Sequence, residues 1–317
     1  SSDRRTTSQA GHPELSPQYT AAGDVLVSIE NLQGSAFNDS LVGNASSNIL
    51  EGLDGADTIN GGGGIDTASY SGSDDGVTVS LSTGRGTGGH AAGDVLISIE
   101  NLRGSAHDDS LEGNASVNVI EGGSGNDVVM GGLGADRLDG GAGIDTADYS
   151  DSGVGVTVSL ATGNTAGGTA EGDTLSNIEN VTGSAFGDVL AGDNSDNVLT
   201  GGNGNDQIVG LFGDDILYGG VGSDSLSGNG GGDTIYGEGG NDTLTAGLYG
   251  GAGTDTMYGG AGNDFLYAGT GFGQPGDIDS LDVFYGDSGA DVLEGGNGTD
   301  HLDRKSTRLN SSHRTGS

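Results

Sequence analysis

Cysteine and tryptophan are absent from the 317 residues, proline occurs three times and phenylalanine six. Without cysteine, no disulfide holds the fold together. Positive charge is equally scarce. Lys and Arg number nine against 46 Asp and Glu, a net charge of −37, and residues 20–303 hold only Arg85, Arg103 and Arg137 against 44 acidic residues. Nucleic acid and anionic lipid are contacted through basic side chains, so this balance argues against both as partners. No apolar run approaches the ~18 residues that a membrane span needs, and no signal peptide with a basic start and an apolar stretch is evident. Few aromatics combined with high charge describe a chain with too little apolar surface to offset its own ordering entropy.

What the sequence has in abundance is glycine, 69 residues of it, arranged in a nine-residue phrase Gly-Gly-x-Gly-x-Asp-x-apolar-x. From Asp188 the sixth place recurs without a break at Asn197, Asp206, Asp215, Asp224, Asp233 and Asp242, and the eighth at Leu190, Leu199, Ile208, Leu217, Leu226, Ile235 and Leu244. A period this strict implies a solenoid. The first six residues suit a tight turn with positive φ, and the last three a short strand with one inward apolar side chain. Two phrases complete one circuit, and successive circuits stack around a narrow core.

Stacking also brings sixth-place carboxylates into columns. Like charges a few ångströms apart repel by roughly 4 kcal/mol per pair at an effective dielectric of 20. A cation between them is required. Asp and Asn oxygens with turn carbonyls, and no His or Cys, form a hard oxygen cage that suits Ca²⁺ better than zinc or copper. Binding to the folded state alone contributes about 1.4 kcal/mol per site at ten times Kd, so on the order of ten sites supply the stability that composition withholds. Folding and calcium binding are expected to be one event.

Along the chain, 1–19 reads as a disordered segment of doubtful origin, 20–66 as a first repeat module, 67–103 as a linking β segment, 104–145 as a second module, 146–182 as a second linking segment, and 183–303 as a long β-roll. The tail 304–317 resembles a translated sequencing adapter and is read as foreign to the repeat. The element Gly23–Leu32 returns as Gly93–Leu102 and, altered, as Gly172–Val181, at spacings of 70 and 79 that differ by one phrase. The linking segments carry Tyr70 and Tyr149 and the alternating strands Val77–Leu81 and Val156–Leu160. Leu96, Ile99 and Leu102 are three apart, as in a helical turn, but β-rich flanks favour wider β coils. A four-residue insertion near Ala246–Tyr249 and a degenerate stretch at 268–285 interrupt the last array without loss of register.

Nine phrases, among them Gly61-Gly-Gly-Gly-Ile-Asp66, Gly122-Gly-Ser-Gly-Asn-Asp127, Gly140-Gly-Ala-Gly-Ile-Asp145, Gly219-Gly-Val-Gly-Ser-Asp224, Gly250-Gly-Ala-Gly-Thr-Asp255 and Gly295-Gly-Asn-Gly-Thr-Asp300, match in full. They closely resemble the repeat-in-toxin (RTX), or haemolysin-type, calcium-binding nonapeptide. The resemblance implies an all-β fold, a right-handed parallel β-roll of nonapeptide half-coils, with Ca²⁺ between neighbouring turns. Sixth-place carboxylates and turn carbonyls are the implied ligands. The residues carried over are Asp57, Asp66, Asp127, Asp136, Asp145, Asp206, Asp215, Asp224, Asp233, Asp242, Asp255, Asp264, Asp291 and Asp300. Asn48, Asn118 and Asn197 keep an oxygen but drop the charge, so weak or empty sites are expected there, and Gly273 offers no side-chain ligand. The resemblance further implies export by type I secretion machinery and calcium-driven folding outside the cell or at a bacterial surface. Either an appendage of a secreted toxin or exoenzyme, or a structural repeat of a surface adhesin or S-layer-like protein, is consistent with that.

Other chemistries fare worse. The Gly-x-Gly-x-x-Gly strings do not sit between a strand and a long amphipathic helix, which argues against dinucleotide binding. Asp108-Asp109 and Asp214-Asp215 resemble an acid and base pair, but the repeat explains one of each as a calcium ligand and the other as a solvated turn residue. His12, His90, His107, His301 and His313 form no triad or zinc pattern. No enzyme activity is therefore expected in this chain. Tyr218, Tyr236, Tyr258, Tyr267 and Tyr285, all ninth-place residues, are expected to stack across strands of one sheet. Such a ladder also suits a carbohydrate or cell-surface partner.

Overall fold

The computed structural model describes residues 30–247, 254–268, 282–295 and 300–303. Segments 1–19 and 304–317, Gly273, and parts of the insertion and of the 250–255 phrase lie outside them. Two compact units are present, residues 1–148 with 169–178, and residues 149–168 with 179–317.

The repeat turns into structure because the last three residues of each phrase suit a strand and the glycines ahead of them suit a turn, and strands such as Val119–Ser124 and Val198–Asn203 run on into the first three places of the next phrase. In the first unit, one wall is a parallel sheet of Asn31–Gln33, Ile49–Glu51, Thr67–Ser69, Asn101–Arg103, Val119–Ser124, Arg137–Ala142 and Thr174–Ser176. Register partners such as Leu32 and Leu50, or Ile120 and Leu138, are eighteen residues apart, so one circuit consumes two phrases. The second wall contains Ser40–Val42, Thr58–Asn60, Ser110–Asn114 and Val128–Gly132, offset by one phrase. Eighth-place side chains from both walls, including Leu41, Leu50, Ile59, Leu111, Ile120, Val129 and Leu138, are fully buried. Each contributes about 1.5–3 kcal/mol relative to exposure.

The second unit repeats this plan. Val198–Asn203, Ile216–Val221, Thr234–Gly239, Thr256–Tyr258, Val283–Tyr285 and His301–Asp303 pair in parallel on one wall. Val189–Ala191, Gln207–Phe212, Ser225–Gly230, Thr243–Thr245, Phe265–Tyr267 and Val292–Glu294 form the other. The circuit between Thr234 and Thr256 takes 22 residues, and that between Thr256 and Val283 takes 27. An insertion therefore lengthens a circuit without shifting the strands that stack on either side of it.

The segments between repeat runs are β, but not simply wider coils. Thr78–Ser80 pairs antiparallel with Arg85–Thr87, and Thr157–Ser159 with Asn164–Ala166. A short 3-10 turn at Gly89–Ala91 follows the first of these hairpins. Leu96 and Leu102 occupy separate strands, Val95–Ile97 and Asn101–Arg103, on either side of Ser98 with φ 50°. The spacing of three in Leu96, Ile99 and Leu102 therefore marks a sharp corner, not a helix. Among the described residues no helix is long and apolar enough to cross a membrane.

Candidate metal centres

Each sixth-place residue is built into a column by its neighbour one circuit away. The N–H of Asp39 donates to Asp57 Oδ1 at 2.7 Å, that of Asp109 to Asp127 Oδ1 at 2.8 Å, and that of Asp127 to Asp145 Oδ1 at 2.7 Å. In the second unit Asp188, Asp206, Asp224, Asp242, Asp264 and Asp291 form one such chain at 2.8–3.1 Å, and Asn197, Asp215, Asp233, Asp255 and Asp282 another. One carboxylate oxygen of each residue is thus spent on the backbone, which fixes the direction of the other.

That other oxygen is where the chemistry lies. Oδ2 of Asp57, Asp66, Asp127, Asp136, Asp206, Asp215, Asp224, Asp233, Asp242 and Asp264 is buried and has no hydrogen-bond partner. A buried acceptor without a donor costs about 1–3 kcal/mol. Ten together, at about 10–30 kcal/mol, are as large as or larger than the roughly 5–15 kcal/mol net stability of a typical domain, a cost that a bound cation would relieve. Main-chain oxygens converge on the same space. A Cβ on Gly237 would lie 2.6 Å from Asp242 Oδ2 and 2.6 Å from the Gly259 carbonyl, and one on Gly219 would lie 2.7 Å from Asp224 Oδ2 and 2.9 Å from the Gly237 carbonyl. First-place glycines keep this cradle open, and acceptors with no proton between them are what a hard cation bridges.

Burial, the largest cause, pushes the carboxyls of Asp127, Asp136, Asp206 and Asp215 up to about 7 from an ordinary 3.8, and those of Asp233 and Asp242 to about 6. The backbone N–H from the adjacent circuit opposes this, while neighbouring carboxylates such as Asp224 beside Asp206 and Asp233 beside Asp215 add to it. Asp57, Asp66, Asp224 and Asp264 move in the same direction, also through burial. The sites disfavour ionised carboxylates unless positive charge accompanies them.

Among the described residues no three His, Asp or Glu side chains cluster as a metal site would require. A cation here is held by carboxylate and main-chain oxygens together. Asp145, Asp255, Asp291 and Asp300 occupy corresponding places: Asp145, Asp255 and Asp291 accept the column N–H, and Asp300 Oδ2 abuts Gly295.

The RTX calcium-binding nonapeptide repeat (4 copies) matches residues 33–68, 99–129, 112–147, 182–217, 218–248, 248–274 and 279–304, more than half of the chain. The chain belongs to the RTX calcium-binding repeat family. No curated protein matches it. Its RTX repeats bind calcium, and the oxygen-only cradles beside the ten aspartates fit that ion. Bound Ca²⁺ supplies the positive charge that the columns lack.

Several RTX column members were not evident from the nonapeptide pattern. Asp57 and Asp136 donate their N–H to Asp94 and Asp173, 37 residues on, and Asp66 donates to Glu100 Oε2 at 2.8 Å. Asp282 continues a column after a circuit of 27 residues. These residues follow lengthened circuits, and a search at fixed spacing passes over them. Fifth-place residues form an outer ladder as well. Asp108 Oδ1 accepts the Asn126 N–H at 2.7 Å, and Asp214 Oδ1 accepts the Gly232 N–H at 2.8 Å, so neither is merely a solvated turn residue. Tyr218, Tyr236, Tyr258 and Tyr285 stack at centroid distances of 4.8–5.0 Å on one wall, whereas Tyr267 lies on the other, against Phe265. The expected five-ring ladder is four rings long, because Tyr267 is nine residues from Tyr258 and belongs to the opposite half-coil.

Proposed function

We propose that this chain is a calcium-folded module of a secreted bacterial protein, one that leaves a low-calcium cytosol unfolded and acquires its β-roll outside the cell. One observation carries the reading: among the described residues, Oδ2 of ten buried sixth-place aspartates, repeated at the spacing of the circuit, has no protein partner. With a net charge of −37 and only 5% aromatic residues, the chain has little else to hold those oxygens in place. Type I secretion is the export route this behaviour suits, because an unfolded chain passes through a narrow conduit and calcium near millimolar then drives folding. The role is that of an appendage to a toxin or exoenzyme, with no catalysis in these residues.

Far-UV circular dichroism of the chelated protein, titrated with Ca²⁺ and with Mg²⁺ as control, tests the proposal. A transition from disordered to β signal near 0.1–1 mM Ca²⁺, absent with Mg²⁺, is the expected result. A β signal already complete in chelator and unmoved by calcium would overturn it.

A further inference from the structure

The turns fall into two classes, and the residue at the second place of the phrase separates them. In all ten turns whose Oδ2 lacks a partner, that residue has positive φ: Gly62, Gly123, Gly132, Gly202, Gly220 and Gly260 at 84–121°, and Leu53, Leu211, Asn229 and Glu238 at 68–86°. Non-glycine residues there adopt the left-handed region at a cost of roughly 1–2 kcal/mol each, so the conformation is imposed by the turn.

Six other turns are closed at the oxygen that faces the second place, although Asp39 Oδ1 is also buried and without a partner. The second-place N–H of Ser35, Ser105 and Ser184 donates to Oδ2 of Asp39, Asp109 and Asp188 at 2.5–2.6 Å. That of Asn44, Asn114 and Asp193 donates to Oδ1 of Asn48, Asn118 and Asn197 at 2.8 Å. None of these six second-place residues has positive φ. Serine hydroxyls add donors at 2.8–2.9 Å, and the Asn amides donate to the carbonyls of Glu30, Glu100 and Glu179 at 3.3, 2.6 and 2.7 Å. Closed turns occur in pairs, the first two after Leu32, Leu102 and Val181, so a repeat run opens with one circuit of its own hydrogen bonds.

We infer that the second-place residue decides which turns take calcium: a positive φ leaves the sixth-place oxygen open to the ion, and an inward N–H fills that place with a proton. An inward N–H dipole and a cation repel each other at the oxygen they would share, so a closed turn is a metal-free rung. This rests on the calcium reading above and adds to it the identity of the turns left out.

Calcium stoichiometry of the full chain, measured by equilibrium dialysis at saturating calcium, tests it with three variants. Asp206→Asn, in an open turn, is expected to lose at least one ion, and Asp188→Asn, in a closed turn, none. Asp193→Gly combined with Asn197→Asp opens a closed turn and is expected to gain one. Equal losses from Asp188→Asn and Asp206→Asn would overturn the inference while leaving calcium binding intact. So would a double variant with wild-type β signal and no added ion; if that variant does not fold, the Asp188 and Asp206 comparison still decides. A wild-type chain that binds no calcium would sink both readings.

Discussion

The hydroxyl of Tyr70 donates to Asp94 Oδ2 at 3.2 Å, while Asp94 Oδ1 receives the N–H of Asp57. Asp94 therefore ends a column with both oxygens satisfied by protein, where Asp57 before it has one left over. Burial pushes its carboxyl up to about 6, and the tyrosine hydroxyl acts against that. Tyr70→Phe removes the donor and keeps the ring, leaving a buried oxygen bare at a cost of about 1–3 kcal/mol. Urea unfolding in saturating calcium is expected to show that loss; an unchanged midpoint would mean that water replaces the hydroxyl.

Acid should partly replace calcium. A carboxyl raised from 3.8 to about 7, as at Asp127, Asp136, Asp206 and Asp215, binds its proton more tightly when folded. Its contribution to stability is complete below 3.8 and lost as pH rises through about 7. The chelated protein is expected to gain β signal between pH 7 and pH 4, followed by circular dichroism. A signal flat across that window would show that the carboxyls do not limit folding.

Glycines at different places in the phrase should differ sharply. Ala at Gly237 places a Cβ 2.6 Å from both Asp242 Oδ2 and the Gly259 carbonyl, while at Gly63 the nearest atom is Ala45 Cα at 3.9 Å. Gly237→Ala is expected to raise the calcium midpoint of folding severalfold and Gly63→Ala to leave it unchanged, as read by calcium titration.

The tyrosine ladder predicts a position effect. Tyr236 stacks on Tyr218 at 5.0 Å and on Tyr258 at 4.9 Å, whereas Tyr218 has one ring neighbour in the ladder. At about 0.5–1.5 kcal/mol per ring pair, Tyr236→Ala should cost about twice the stacking energy that Tyr218→Ala does. Thermal melting in calcium distinguishes them, and equal shifts would assign the cost to burial alone.

The nonapeptide determined the half-coil, the eighth-place core and the aspartates of the open turns, because each is set within nine residues by glycine conformation and one inward side chain. Leu217 and Asp224 are legible in any single phrase. The tertiary structure alone decided what stacks on what. Asp282 joined a column because a circuit of 27 residues resets which phrase meets which, whereas Tyr267 left the ladder because one phrase is only half a circuit and places it on the wall opposite Tyr258. The split between open and closed turns was legible only in part: Asn48, Asn118 and Asn197 marked three closed turns, but nothing at Asp39, Asp109 or Asp188 set them apart from the aspartates of open turns. Ser35 and Leu53 both depart from glycine at the same place, yet one sends its N–H to the carboxylate and the other adopts φ 68°. Backbone direction at that place is fixed by hydrogen bonds within the turn and to the next circuit, which the local pattern of residues does not encode.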